Sequence, residues 1–224
     1  MNQADATKLV EDDIKNQDKI AEDGFWIHDL ACKADFESAI DPANFARTQV
    51  SQTSDRIKDT AVIGKVYTAL RGKFWEAYRN SVNAKYRRNI TVDGELKNLG
   101  NKVFGRIDWM FVGDDGTLHL YLIKATSKSA STWKGVKEET YKYELATLKA
   151  LLDNNGININ NIDLNIVPVH LKYNDDYSKV EDVEVQTTKP YSTRNSGAGY
   201  AMDKYDKHIR NFFERKAPTF NVSS

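Results

Sequence analysis

A chain of 224 residues is long enough for one sizeable core, or for one domain with appendages. Its 32 Lys and Arg balance 32 Asp and Glu, so no global field draws in nucleic acid; this argues against a passive DNA coat but leaves room for a local basic cleft. Cys32, the one cysteine, has no partner for an internal disulfide, no window approaches the roughly 20 apolar residues of a membrane helix, and the acidic opening MNQADATKLVEDD is wrong for a signal peptide. These features predict a soluble cytoplasmic protein in a reducing compartment, with no membrane partner.

Residues 6–23 are polar and helix-permissive, and predict an exposed helix. GFWIHDLACKADFESAI follows, with aromatics suited to docking on a core. The stretch from Asp41 to Asn83 is helical in pattern. Asp41-Pro42 supplies a cap and a proline for the first turn, and Val62, Val66, Leu70, Phe74 and Ala77 form an apolar stripe at helical spacing. RNITVDGEL reads as a strand and turn. KVFGRIDWMFV, GDDGT and LHLYLIKAT together read as a hairpin with a Gly/Asp turn. STWKGVKEETYKYELATLKALLDNNG predicts a helix stopped at Asn-Asn-Gly. IDLNIVPVHLKYN is a further strand, and Pro168 within it predicts an edge position or a bulge. KPYSTRNSGAGYA reads as a loop and MDKYDKHIRNFFERKA as a last helix. This order predicts an α/β domain with a central mixed β-sheet flanked by helices and extra N-terminal helices: residues 1–59 as a helical extension packed on the core, residues 60–224 as the principal domain.

The hairpin carries the chemistry. Asp108, in GRIDWMF, lies in the first strand and Lys124 ends the second. At one end of a sheet, such a pair suits metal-assisted phosphodiester cleavage: the carboxylate holds a divalent cation and the ammonium positions water or offsets charge on phosphorus. Function at Asp108 competes with an ordinary surface or turn aspartate, and at Lys124 with an edge-guarding lysine.

GRID followed by LYLIKATS resembles the PD-(D/E)XK nuclease superfamily, and its RecB-like exonuclease branch in particular. The resemblance spans about residues 60–173. It implies a restriction-endonuclease-like fold, Mg²⁺ or Mn²⁺ as cofactor, and single- or double-stranded DNA as partner. Asp108 matches the family aspartate, Gly105 the glycine three before it, and Lys124 the lysine. The branch places a Gly-x-x-x-His helix ahead of the hairpin, for which AVIGKVYTAL offers Gly64 and Tyr67. It places a Gln-Leu pair on the following helix, with a tyrosine four residues on; Glu144 and Leu148 stand at the glutamine and tyrosine positions.

One departure stands out. The acid two residues before the lysine is replaced by Leu122, which shares a strand face with Lys124. Three readings are open. Glu144 supplies a migrated carboxylate, the site has decayed into a module that binds DNA or a partner protein in a larger assembly, or the leucine was introduced. The first makes Asp108, Lys124 and Glu144 catalytic, with Asp108 and Glu144 as metal ligands; Glu76 and Glu139 are reserves. Candidate substrate contacts are Tyr67, near the histidine position that the resemblance implies, and Thr126, Ser127, Lys128, Trp133 and Lys137, from the basic stretch after Lys124. Trp133 serves equally as a helix-start core residue, and Tyr67 as packing. His28, His119, His170 and His208 show no metal-ligand spacing, and Cys32 lacks a Cys/His pairing.

Overall fold

Asp41 and Pro42 open a helix as their chemistry requires. The Asp41 carboxylate accepts from the Asn44 amide at 3.0 Å, and Pro42 fills the first turn, where no amide hydrogen is needed. The structure, a computed structural model, describes residues 3–95, 102–133, 136–157 and 159–194. They form α1 (Gln3–Lys33), α2 (Pro42–Gln49), α3 (Thr60–Arg79), β1 (Ser81–Glu95), β2 (Lys102–Gly113), β3 (Leu118–Thr126), a short 3₁₀ turn (Ala130–Thr132), α4 (Val136–Asn154), β4 (Ile162–Tyr173), β5 (Val180–Val185) and β6 (Lys189–Ser192). The helix expected near the C-terminus lies outside the described residues.

The fold is α/β, a mixed sheet between helical layers. Strands run in the order β1-β2-β3-β4-β5, with β6 also on β4. β1, β2 and β3 are antiparallel; α4 then crosses over, so β4 lies parallel to β3, and β5 and β6 return antiparallel. One apolar core fills the space between the sheet and α1–α3, with Phe36, Tyr67, Phe74 and Trp109 at its centre. A second lies under α4, built on Leu145, Leu148, Leu151 and Leu152. Gly156, with φ at +77°, lies just beyond the end of α4, at the expected stop. Among the described residues, no helix is long and apolar enough to cross a membrane.

Pro168 departs from expectation. It lies in an interior strand, opposite Lys124 of β3. Its carbonyl accepts from the Gln186 amide at 2.9 Å, on the side where β5 pairs from Val169 onward and β6 pairs up to Ile166. A strand residue presents its N–H and C=O on the same side, so the hydrogen that proline lacks falls at the junction between β5 and β6, where neither strand pairs.

The hairpin strands change face halfway along. Trp109 and Phe111 belong to the core under α1–α3, whereas Ile107 belongs to the core under α4. Residues two apart in a regular strand share a face, so β2 is wrung at Asp108. β1 turns with it: the Arg88 guanidinium lies over the Phe74 ring, while Ile90 packs under α4. Asn89, between them, has φ of +51°, the left-handed conformation that asparagine tolerates best after glycine. The β1–β2 ladder passes from Arg88–Trp109 to Ile90–Ile107, and β2 pairs with β3 only as far as Trp109–Tyr121. Beyond that point the two strands part.

Gly105 lies in the wrung half of β2. A β-carbon there would stand 2.6 Å from Leu148 Cδ2, 3.1 Å from Leu151 Cδ1 and 3.2 Å from Val92 Cγ2. Side-chain tips can yield, but three must do so together. Gly105→Ala is expected to cost about 1–3 kcal/mol, read from chemical denaturation, through overpacking under α4.

Candidate metal and phosphate site

The gap where β2 leaves β3 opens into a cleft of about 600 Å³. Asp108, Lys124, Glu144 and His28 all line it. The trio read from sequence therefore shares one cleft, but divided between a cluster around Asp108 and a separate Lys124–Glu144 pair.

The cluster centres on Asp108, which is 1 % exposed. Its Oδ2 accepts from the Ile123 amide at 2.7 Å, so the side chain replaces the ladder bond lost where the strands part. Its Oδ1 receives the His28 imidazole through Nδ1 in a short contact, and the Cys32 thiol at 3.3 Å. Burial, then the neighbouring Asp108 charge, pushes that thiol up to about 11. It is therefore protonated at neutral pH, and donates. Arg106 Nη2 also approaches the sulfur, at 3.6 Å.

The separate pair is Lys124 Nζ and Glu144 Oε1, 2.8 Å apart and both about one-third exposed. Lys124 lies on the α4 side of β3, and Glu144 comes from α4 itself. Leu122, on the same face, is 2 % exposed, packed in the α4 core and exposed to the cleft only at its margin.

α1 brings His28 to the site, and the sequence explains how. Gly24 sits at a close crossing: a β-carbon there would lie 3.3 Å from the Ala125 β-carbon of β3. His28 and Cys32 follow at one-turn intervals on the same helix face. The end of the helix is pinned by Trp109, whose indole N–H donates to the Ala31 carbonyl at 2.8 Å, one of the orphan carbonyls of the last turn. Asp108 and Trp109 are consecutive, yet both reach α1; the wring in β2 permits it.

The expectation that histidine and cysteine carry no ligand pairing is thus corrected. Among the described residues, His28, Cys32 and Asp108 place ligand atoms within 4.8 Å of one another. In sequence, the four-residue interval between His28 and Cys32 on one helix is the signal for this grouping. Glu144 is outside this group. Tyr67 is fully buried, its ring stacked on Phe45 at 4.1 Å. Trp133 is 4 % exposed, against Tyr141 and under the Lys189 ammonium. Thr126 is buried, and its hydroxyl donates to the Lys128 carbonyl at 2.9 Å, closing the turn that contains Ser127. None of these lines the cleft. The Lys137 side chain lies outside the described residues. Glu76 pairs with Lys73 at 3.2 Å and Glu139 with Lys142 at 3.6 Å, both away from the cleft.

As a donor set, one carboxylate, one imidazole nitrogen and one thiol suit a divalent transition ion; Mg²⁺ takes oxygen ligands and keeps several waters. No family model matches the chain, and no curated protein matches it. A solved structure described as "Crystal structure of SSO0001" aligns at 16 % identity over 76 % of this chain and 72 % of that one, with a TM-score of 0.30. At that score the likeness carries no inference about fold or function.

Proposed function

We propose that the protein is a metal-dependent nuclease that hydrolyses DNA phosphodiester bonds, resembling the RecB-like branch of the PD-(D/E)XK superfamily. The observation that supports this most directly is the convergence of Asp108, Lys124, Glu144 and His28, from two strands and two helices, on one cleft. A cation bound by Asp108 and His28 would polarise a phosphate and lower the pKa of a bound water. Asp108 is held for this by the Ile123 amide. Glu144 holds the Lys124 ammonium at the cleft; an arriving phosphate competes with that carboxylate for the ammonium, which then offsets charge developing on the phosphorus. Phe25 and Phe104 also line the cleft and are 71 % and 65 % exposed, a cost in water that stacking on unpaired bases would offset.

Two expected results test this reading. With Mn²⁺ or Mg²⁺, the protein cleaves linear single- or double-stranded DNA, and Lys124→Ala lowers the rate by about 100-fold, as for loss of one group that stabilises developing charge. Phe25→Ala and Phe104→Ala each weaken single-stranded DNA binding by about 5- to 100-fold in a fluorescence titration, the range for one lost stacked base; unchanged affinity in both removes the stacking role.

A second reading has its own support. Leu122 occupies the acid position and is packed as core, and Glu144 neutralises Lys124. Both suit a module of the same fold that binds DNA or a partner protein without cutting. Leu122→Glu separates the two. Cleavage that appears only in that variant supports the module; cleavage in the parent supports the enzyme.

A further inference from the structure

Cys32 has no part in the hydrolysis proposed above, yet it lies against the carboxylate on which that hydrolysis depends. Asp108 Oδ1 takes two hydrogens at once, from His28 Nδ1 and Cys32 Sγ. Three different ligand atoms thus turn toward one point, with protons between them. The rigidity of the arrangement comes from its surroundings. His28 and Cys32 are one helical turn apart on α1, so nitrogen and sulfur share a face. Asp108 is fixed by the Ile123 amide through its other oxygen, and the Arg106 guanidinium lies 3.6 Å from the sulfur. Such outer contacts orient ligands and tune their basicity. The imidazole is 19 % exposed and lines the cleft, which leaves an open side for a fourth ligand.

We propose that His28, Cys32 and Asp108 form a three-ligand site that prefers a thiophilic divalent cation of the Zn²⁺ class and binds Mg²⁺ far more weakly. A nitrogen, a thiolate and a carboxylate with one position open is a zinc-type set. Thiolate and carboxylate together balance the charge of the ion. On binding, the thiol proton leaves to solvent and the imidazole shifts its hydrogen to Nε2, freeing Nδ1. The site shares its cleft with the nuclease reading and so deepens it, but ligation can be read without cleavage.

The test uses the whole chain, stripped of metal and titrated with Co²⁺. Since Cys32 is the one cysteine, any thiolate-to-cobalt charge-transfer absorption comes from it. The expected result is saturation at one equivalent with that absorption, bleached by one equivalent of Zn²⁺ and unchanged by excess Mg²⁺. Cys32→Ser, which keeps the volume, loses the absorption and weakens Zn²⁺ binding by at least about 100-fold. No saturable Co²⁺ binding, saturation without thiolate absorption, bleaching by Mg²⁺, or equal Zn²⁺ affinity in Cys32→Ser would each overturn the proposal. The unsubstituted protein reports ligation directly, so a variant that fails to fold does not decide the matter. DNA cleavage scored in the same samples separates the two proposals. Thiolate absorption without cleavage in any metal counts against the nuclease alone, and cleavage without thiolate absorption counts against this site alone.

Discussion

Replacing Asp23 by alanine is expected to cost about 3–5 kcal/mol of folding stability, the range for breaking a buried ion pair by removing one partner. Asp23 is fully buried on α1. Its carboxylate accepts from Arg56 Nε at 3.1 Å and Nη2 at 3.2 Å, from the Tyr173 hydroxyl at 2.7 Å, and from Ser54 in a shorter contact. The Arg56 side chain is only 15 % exposed. Alanine would leave its guanidinium buried with only Glu22, at 2.6 Å on the exposed rim, as counter-charge. Burial and the Asp23 hydrogen bond both push the Tyr173 phenol up; without the carboxylate its hydroxyl loses its acceptor. Urea denaturation checks this, with the midpoint lowered and the slope unchanged. A loss under about 1 kcal/mol would mean that Arg56 finds water, and that Asp23 is not what anchors α1. Replacing both partners together by apolar residues of similar volume should cost far less than either single change.

Asp108→Asn is expected to lower DNA cleavage by about 1,000-fold, roughly 4 kcal/mol of transition-state stabilisation, with DNA affinity within a few-fold of the parent. Asparagine is chosen because its carbonyl can still accept the Ile123 amide that closes the parted strands, so fold and charge are separable here as they are not with alanine. Single-turnover cleavage of end-labelled DNA, beside far-ultraviolet dichroism, makes the comparison. A variant cutting within tenfold of the parent would remove Asp108 from the reaction and the nuclease reading with it.

Local rules carried most of the fold. The hairpin from Lys102 to Thr126, the helix stopped before Gly156 and the cap at Asp41 follow from turn chemistry and periodicity that need no distant partner. Non-local effects were hidden. α1 continues through Gly24, which taken alone weakens a helix by about 1 kcal/mol; only Ala125, far along the chain, shows why it is there. Pro168 reads as an edge residue unless the junction of β5 and β6 is known. Alternation fails in β1 and β2 because Asn89 and Asp108 change the face of each strand, so hydrophobic period alone could not assign the halves.

The site divides the same way. Asp108, Lys124 and Glu144 were legible as a group because hairpin and crossover helix are adjacent in sequence. What they touch was not: Lys124 spends its charge on Glu144, and Asp108 spends its own on α1. His28 and Cys32 stand one helical turn apart, but their neighbours Phe25, Trp26 and Ile27 made the segment look like packing alone. Tyr67 and Trp133 show the converse, aromatic residues near chemistry by sequence and buried away from it in space.

The tie between Asp23 and Tyr173 spans 150 residues. At typical elongation rates of about 5–20 residues per second, the carboxylate waits roughly 8–30 s after its own synthesis before that phenol exists. For roughly the first two-thirds of this interval α1 also lacks β3, the strand it crosses at Ala125. α1 is therefore fully locked only after β4, which carries Tyr173, has been translated.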